Sequence, residues 1–277
     1  MDRIQKALDK AKAKHTEQAR VVVPEAKNDK NTKLAADPLK SPIENISYQQ
    51  TRVKESSREH LEKNRIIAGM YNNPQSAVFR MLRTQVLQKM RTNHWQTLAI
   101  TSPTGGEGKS LVASNLAIAI AMELNQTVML VDMDLRNPTL NNYFDLQAEV
   151  GLKDYLEQDL ELKDVLINPG IKRMVILPGN GRAEDSAELL SSPKMARLVE
   201  ELKAQYDSRL IIFDVPPLLQ TDDVLLSEKY FDCSLLVLED GKNKESEITR
   251  SLQMLENSHL LGSVLNKSDK PPTHQYY

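Results

Sequence analysis

One lysine, one serine and three aspartates carry the chemistry that can be read directly from this chain. Lys109 and Ser110 close the run Pro103-Thr104-Gly105-Gly106-Glu107-Gly108-Lys109-Ser110. Asp132 and Asp134 follow the apolar run Val128-Met129-Leu130-Val131, and Asp214 follows Leu210-Ile211-Ile212-Phe213. A glycine-rich loop ending in Gly-Lys-Ser is a phosphate cradle, because glycine accepts φ > 0 and lets successive N–H groups curl around an anion. In such a loop Lys109 reaches the β/γ-phosphates and the Ser110 hydroxyl ligates Mg²⁺. The helix that follows adds its N-terminal N–H groups and dipole. The expected nucleotide-binding residues are therefore Gly105, Gly106, Glu107, Gly108, Lys109, Ser110 and Leu111. Pro103 departs from the usual G-x-x-x-x-G-K-[ST] pattern, which has glycine there.

A carboxylate at a strand end beside this loop can hold Mg²⁺ directly or through water. Asp214 fits that role. Asp132 and Asp134 stand at i and i+2, so in an extended segment they point the same way. Two like charges so placed call for a cation between them or a shared proton. The pair suits one carboxylate on the metal and one acting on the nucleophile. The plainer alternative is that Asp134 caps the next turn.

The elements that must hold these residues follow from the apolar pattern. Strands are expected at 97–101, 127–131, 174–178, 210–213, 234–238 and 260–265, with helices between them. Ser192 and Pro193 read as N-cap and first residue of a helix striped by Met195, Leu198, Val199 and Leu202. Val78, Phe79, Leu82, Val86 and Met90 mark a helix before the first strand, with Arg80 and Arg83 on another face. Short continuous apolar strands alternating with helices define an α/β fold, a mostly parallel sheet with helices on both faces. Ligands of such sheets bind at the carboxyl ends of the strands, where every motif above falls.

Composition sets the remaining bounds. With 277 residues, 40% of them hydrophobic, the chain suits one large α/β domain plus extra segments. A net charge of -2 gives no reason to expect nucleic-acid binding. The single cysteine, Cys233, excludes a disulfide framework and reads as a buried, inert thiol. No apolar stretch approaches the ~18–20 residues that span a bilayer. A cytoplasmic protein that meets the membrane only through a partner is expected. Residues 1–15 read as a short amphipathic helix and 16–72 as a flexible linker rich in Pro, Lys, Asn and Ser. The folded domain is expected over 73–269 and a flexible tail over 270–277, ending in Tyr276-Tyr277.

Three blocks together resemble the Walker A, A′ and B motifs of bacterial tyrosine kinases. They are Thr101 to Ser110, the Leu-Val-Asp-Met-Asp-Leu-Arg-Asn-Pro stretch at 130–138, and Phe213-Asp214-Val215-Pro216-Pro217. These kinases belong to the deviant-Walker class of the P-loop NTPase fold and govern polysaccharide export. The resemblance covers about residues 74–270, and the Asp-x-Asp-x-Arg block is its most specific part. The opening Met1-Asp2-Arg3-Ile4-Gln5-Lys6-Ala7-Leu8 is similar to the subgroup found at exopolysaccharide/exosortase loci. The resemblance implies autophosphorylation with MgATP (cofactors ATP and Mg²⁺) and a transmembrane chain-length regulator as activator. It places Lys109 and Ser110 on nucleotide and metal, Asp132 as base toward the tyrosine hydroxyl, Asp134 and Asp214 near Mg²⁺, and Arg136 among the catalytic residues. Tyr276 and Tyr277 become the phosphoacceptors. Arg80 and Arg83 become the contacts of a homo-oligomer, ring or dimer, although Ala77 stands where the family usually carries Glu. Extended, the tail beyond Asn266 reaches roughly 36 Å, enough to enter its own site or a neighbour's.

Other readings compete. Asn266-Lys267-Ser268-Asp269 matches the Asn-Lys-x-Asp guanine pattern of GTPases, but Pro217 stands where a GTPase switch would carry Gly. Asn266 is accordingly expected to contact the base of ATP. Partitioning or cell-division ATPases carry Lys where this chain has Thr104. A catalytically silent scaffold of a membrane complex conflicts with the intact Lys109, Asp132, Asp134 and Asp214.

Overall fold

The computed structural model describes residues 51–204, 209–256 and 258–269. In chain order its elements are β1 (Arg52–Val53), α1 (Arg58–Lys63), α2 (Ser76–Thr92), β2 (Thr97–Thr101), α3 (Lys109–Ala121), β3 (Thr127–Asp132) and α4 (Leu140–Phe144). There follow α5 (Leu152–Glu157), α6 (Leu162–Val165), β4 (Ile167–Asn168), β5 (Met174–Leu177), α7 (Ser186–Ser191), α8 (Pro193–Ala204) and β6 (Arg209–Asp214). The chain continues through α9 (Asp223–Ser227), a 3-10 turn (Glu228–Tyr230), β7 (Cys233–Glu239), α10 (Glu245–Met254) and β8 (Leu260–Asn266).

The strands form one eight-stranded sheet in the order β1-β4-β5-β3-β6-β2-β7-β8. Every pairing is parallel except β4 with β5, which meet only at Ile167 and Ile176. Strands β2 and β3 are buried at every residue, as strands covered by helices on both faces must be. Edge strand β8 is only partly covered, with Leu261 buried and Ser263 and Leu265 exposed. One core face packs Val86, Leu87 and Met90 of α2, Leu116 and Ile120 of α3, and Phe144 against the sheet. The other packs Leu190 of α7, Met195, Leu198 and Leu202 of α8, Val224 of α9 and Ile248 of α10. Helix α3 is buried all round apart from Leu111, which explains why its sequence carries no polar face. The predicted cap of α8 is present, with Met195 N–H donating to Ser192 Oγ at 3.2 Å.

The folded unit starts earlier than composition indicates. Residues 52–68 fall within the expected linker of 16–72, yet β1 adds a strand to β4 and Ile66, Ile67 and Ala68 are buried. Asn115, fully buried on α3, explains this. Its Oδ1 accepts from Ile67 N (2.8 Å) and Ala68 N (3.0 Å), and its Nδ2 donates to Arg65 O (3.0 Å). One asparagine thus supplies the partners that the buried backbone of the segment needs. The expected helix at 1–15, the remainder of the linker up to residue 50 and the tail tyrosines lie outside the described residues.

Candidate active site

The site is built at the carboxyl ends of the central strands. The phosphate loop leaves β2, and its Gly106 and Gly108 take φ of 93° and 92°, which turn the chain into α3. Thr101 Oγ1 donates to Pro216 O (2.8 Å), and Leu218 N and Leu219 N donate to Ser102 O and Pro103 O. These bonds tie the start of the loop to the Pro216-Pro217 segment behind β6. Pro103 has no N–H to offer, and the loop uses its carbonyl.

Parallel register sets Asp132 of β3 directly beside Asp214 of β6, and β6 in turn lies beside β2. Lys109 extends back from α3 into this group, with Nζ 2.8 Å from Asp134 Oδ2 and 3.2 Å from Asp214 Oδ1. Asp134 also caps the next turn, its Oδ1 accepting from Asn137 N at 3.0 Å. Asp132 Oδ2 accepts from Thr139 N (2.9 Å) and Leu140 N (3.0 Å) at the start of α4. Its Oδ1 and Asp214 Oδ2 are buried without a partner.

Three buried carboxylates against one ammonium leave an excess of negative charge. Burial and then the charge of Asp214 push the Asp132 carboxyl up to about 8. Burial also raises Asp214, against the opposing pull of Lys109 and a hydrogen bond from Ser110. Burial works to lower Lys109, but Asp214 and Asp134 outweigh it and hold the ammonium above its ordinary range. The orphaned oxygen of Asp214, a carboxylate that Ser110 also touches, fits a divalent cation, since Mg²⁺ takes one or two carboxylates and completes its shell with phosphates and water.

The remaining predicted residues are placed differently. Arg136 turns to the Asp223 carboxylate on α9, with Nε and NH2 at 3.3 and 3.4 Å from it. Asp223 is fully buried and also accepts from Ser186 Oγ (2.7 Å) on α7. Glu107 is an internal brace. Its Oε1 accepts from Thr104 N, Thr104 Oγ1 and Asn243 Nδ2. Burial tends to raise it, but these bonds and Lys242 together hold it below the usual carboxylate range. Asn266, expected at the base, donates through Nδ2 to Glu107 O at 2.7 Å. Arg83 is engaged within the chain, with Ala119 O at 3.2 Å and Glu123 at 3.0 Å, and Arg80 bonds Ser76 Oγ at 2.6 Å. Cys233 is buried as expected, and burial pushes its thiol up to about 12.

Sequence reading missed Asp223, Ser186, Lys242, Asn243 and Gly179. A Cβ on Gly179 would collide with Pro138, so the loop after β5 packs against the Asp132–Pro138 loop only as glycine. The only sequence signals were an Asp opening a helix after Pro-Pro and a glycine after a strand.

Residues 95–230 match the family model of an AAA domain. Among curated proteins, tyrosine-protein kinase YwqD of Bacillus subtilis is 33% identical over 206 residues, which cover 73% of this chain and 86% of YwqD. The kinase domain of Escherichia coli tyrosine kinase ETK superposes with a TM-score of 0.68 at 28% identity, covering 82% of this chain and 94% of that domain. Of the full-length Escherichia coli K12 Etk the chain matches only 29%. The septum site-determining protein MinD of Pyrococcus horikoshii, solved with Mg-ADP, has a TM-score of 0.54 at 25% identity, covering 64% of this chain and 74% of MinD. Nucleotide and magnesium use accord with this fold and with the loop described above. The chain belongs to the bacterial tyrosine-protein kinase family.

Proposed function

We propose that this protein transfers the γ-phosphoryl group of MgATP to tyrosine and that Tyr276 and Tyr277 of its own tail are acceptors. The observation that carries the reading is the grip of Asp134 and Asp214 on Lys109 beside an unpartnered Asp132 oxygen. In the bound state Lys109 turns from these carboxylates to the β/γ-phosphates. Ser110, Asp134 and Asp214 would hold a magnesium ion. Such an ion would supply charge neutralisation for the phosphoryl group in its loose transition state. Positive charge beside Asp214 would also offset that carboxylate's share of the upward pull on Asp132, of which burial is the larger part. Asp132, ionised and anchored by Thr139 N and Leu140 N, then takes the phenol proton on Oδ1 as the O–P bond forms. A phenol of pKa about 10 needs such an acceptor only late in the transfer.

The family resemblance supports a transmembrane polysaccharide chain-length regulator as activator and regulation of exopolysaccharide export as the setting. Among the described residues no helix is long and apolar enough to cross a membrane, in keeping with attachment through a partner. Self-association, as a ring or dimer, would use α2, where Val78 and Met81 are about half exposed beside Arg80 and Arg83.

The test is incubation with MgATP, with and without the cytoplasmic segment of a candidate activator, followed by phosphotyrosine detection. Signal is expected to vanish in Lys109→Ala and to fall strongly in the double variant Tyr276→Phe/Tyr277→Phe. An unchanged signal in the tail variant overturns the tail as acceptor, and no signal under any condition overturns the kinase reading.

A further inference from the structure

The Asn266–Asp269 turn is held to the phosphate loop with a regularity that base packing alone does not require. Glu239 and Asn266 are register partners at the ends of β7 and β8. From there Asn266 Nδ2 donates to Glu107 O (2.7 Å), and Lys267 Nζ donates to Gly106 O (2.7 Å) and pairs with Glu239 (3.0 Å). Ser268 Oγ donates to Asp240 Oδ2 (2.8 Å), and Asp240 N donates to Asn266 O (3.0 Å). Lys267 takes φ of 57°, which bends the chain back over the loop. A Cβ on Gly108 would collide with the Asn266 amide, so turn and loop are in direct contact. Three successive side chains of the turn are thus committed. The fourth, Asp269, is exposed and makes no hydrogen bond or ion pair among the described residues.

Sheet order gives this turn its direction relative to a bound nucleotide. The acidic cluster stands on β3 and β6, to one side of β2 and its phosphate loop, and β7 and β8 stand on the other. Lys109 points its ammonium toward the acidic side, where the β/γ-phosphates belong. The nucleoside end then leaves toward β8. A carboxylate waiting there discriminates between purines. Guanine presents adjacent N1–H and N2–H donors that fit its two oxygens, while adenine presents the N1 lone pair.

We propose that the Asn266–Asp269 turn reads the purine base, and that Asp269 lets the pocket take guanine as well as adenine nucleotides. The inference rests on the nucleotide site under Proposed function and concerns only the base. Asp269 is free to swing into water, so adenine is tolerated and guanine gains a bidentate partner.

Binding without phosphoryl transfer tests this. The full chain with Mg²⁺ and a fluorescent methylanthraniloyl-ADP is titrated with ADP, GDP and xanthosine diphosphate, then compared with Asp269→Asn. GDP is expected to displace the probe within about tenfold of ADP. In Asp269→Asn, GDP should weaken about tenfold or more while ADP changes by less than about threefold. Xanthosine diphosphate, which carries a carbonyl where guanine has its amino group, should bind more tightly to the variant, because an amide can donate to that carbonyl. A merely structural role for Asp269 would not produce that gain. Failure of GDP at about a 100-fold excess over effective ADP overturns the inference, as does an equal shift of GDP and ADP in the variant. If no nucleotide displaces the probe and the probe itself does not bind, the site and the inference fall together. ADP binding with GDP excluded overturns the inference alone.

Discussion

Asp132 and Asp214 are cross-strand neighbours in the parallel register of β3 and β6, both fully buried, and each has one oxygen without a partner. Two carboxylates so close in low dielectric cannot both ionise cheaply. Burial first, and the Asp214 charge second, push the Asp132 carboxyl up to about 8. The unfolded chain would release the proton of that carboxyl near pH 4. Between these values the folded state binds the extra proton, so this group's contribution to stability is full at low pH and lost as pH rises toward 8.

Asp132→Asn should remove that pH dependence, because an asparagine oxygen can still accept from Thr139 N and Leu140 N. Thermal unfolding without nucleotide at pH 5, 7 and 9 should show the native chain losing stability relative to the variant as pH rises. Parallel curves would count against the assigned proton. Phosphotyrosine formation should be lost in the variant at every pH.

Lys109→Met leaves Asp134 and Asp214 buried without their cation. Breaking a buried pair costs about 3–5 kcal/mol. The loss should be largest at pH 8 and smaller at pH 5, where the Asp214 carboxyl, raised by burial, can take up a proton instead. Urea denaturation at the two pH values measures the difference, and equal losses would place the carboxylates in a wetter site than described.

The two partners of the Arg136–Asp223 pair should respond unequally. Arg136 is 45% exposed at its side chain, so Arg136→Ala should cost no more than about 1 kcal/mol. Asp223→Ala strips a fully buried acceptor from both Arg136 and Ser186 and should cost about 3 kcal/mol. Both variants loosen the loop carrying Asp132 and Asp134, so kcat should fall more than KM rises. Matched effects of the two on unfolding would contradict the burial difference.

A chain shortened to begin at residue 73 should unfold at a lower temperature than one beginning at residue 51. It would uncover the α3 surface beneath Ile66, Ile67 and Ala68 and leave Asn115 without three of its bonds. Asn115→Ala in the full chain should cost about 2–3 kcal/mol and speed proteolysis between residues 51 and 72. Cleavage at the native rate would show that the segment is held by packing alone.

The phosphate loop, the two aspartate-ended strands and the α/β architecture were legible because each depends on local order. Glycine must occupy φ > 0 positions, and a doubly covered strand must be apolar throughout. The expected strands at 97–101, 127–131 and 210–213 correspond closely to β2, β3 and β6. The linker over 52–68 was misjudged because its composition is polar and its anchor, Asn115, lies 47 to 50 residues further on. The Asp-x-Asp-x-Arg block marks Arg136 in the sequence, but its partner Asp223, 87 residues away, is not legible there.

By itself, then, the sequence determined that a nucleotide phosphate is cradled at Gly105–Ser110 and that carboxylates stand ready at the ends of two strands. Tertiary structure alone decided which charges meet. Strand order placed β6 between β3 and β2, so that Asp132, Asp134 and Asp214 converge on Lys109, and placed β7 and β8 on the far side to brace the loop through Lys242, Asn243, Asn266 and Lys267. Local pattern encodes the elements because backbone sterics and burial act within a few residues. The meeting of charges across 100 or more residues depends on register and crossover, which only the packed sheet defines.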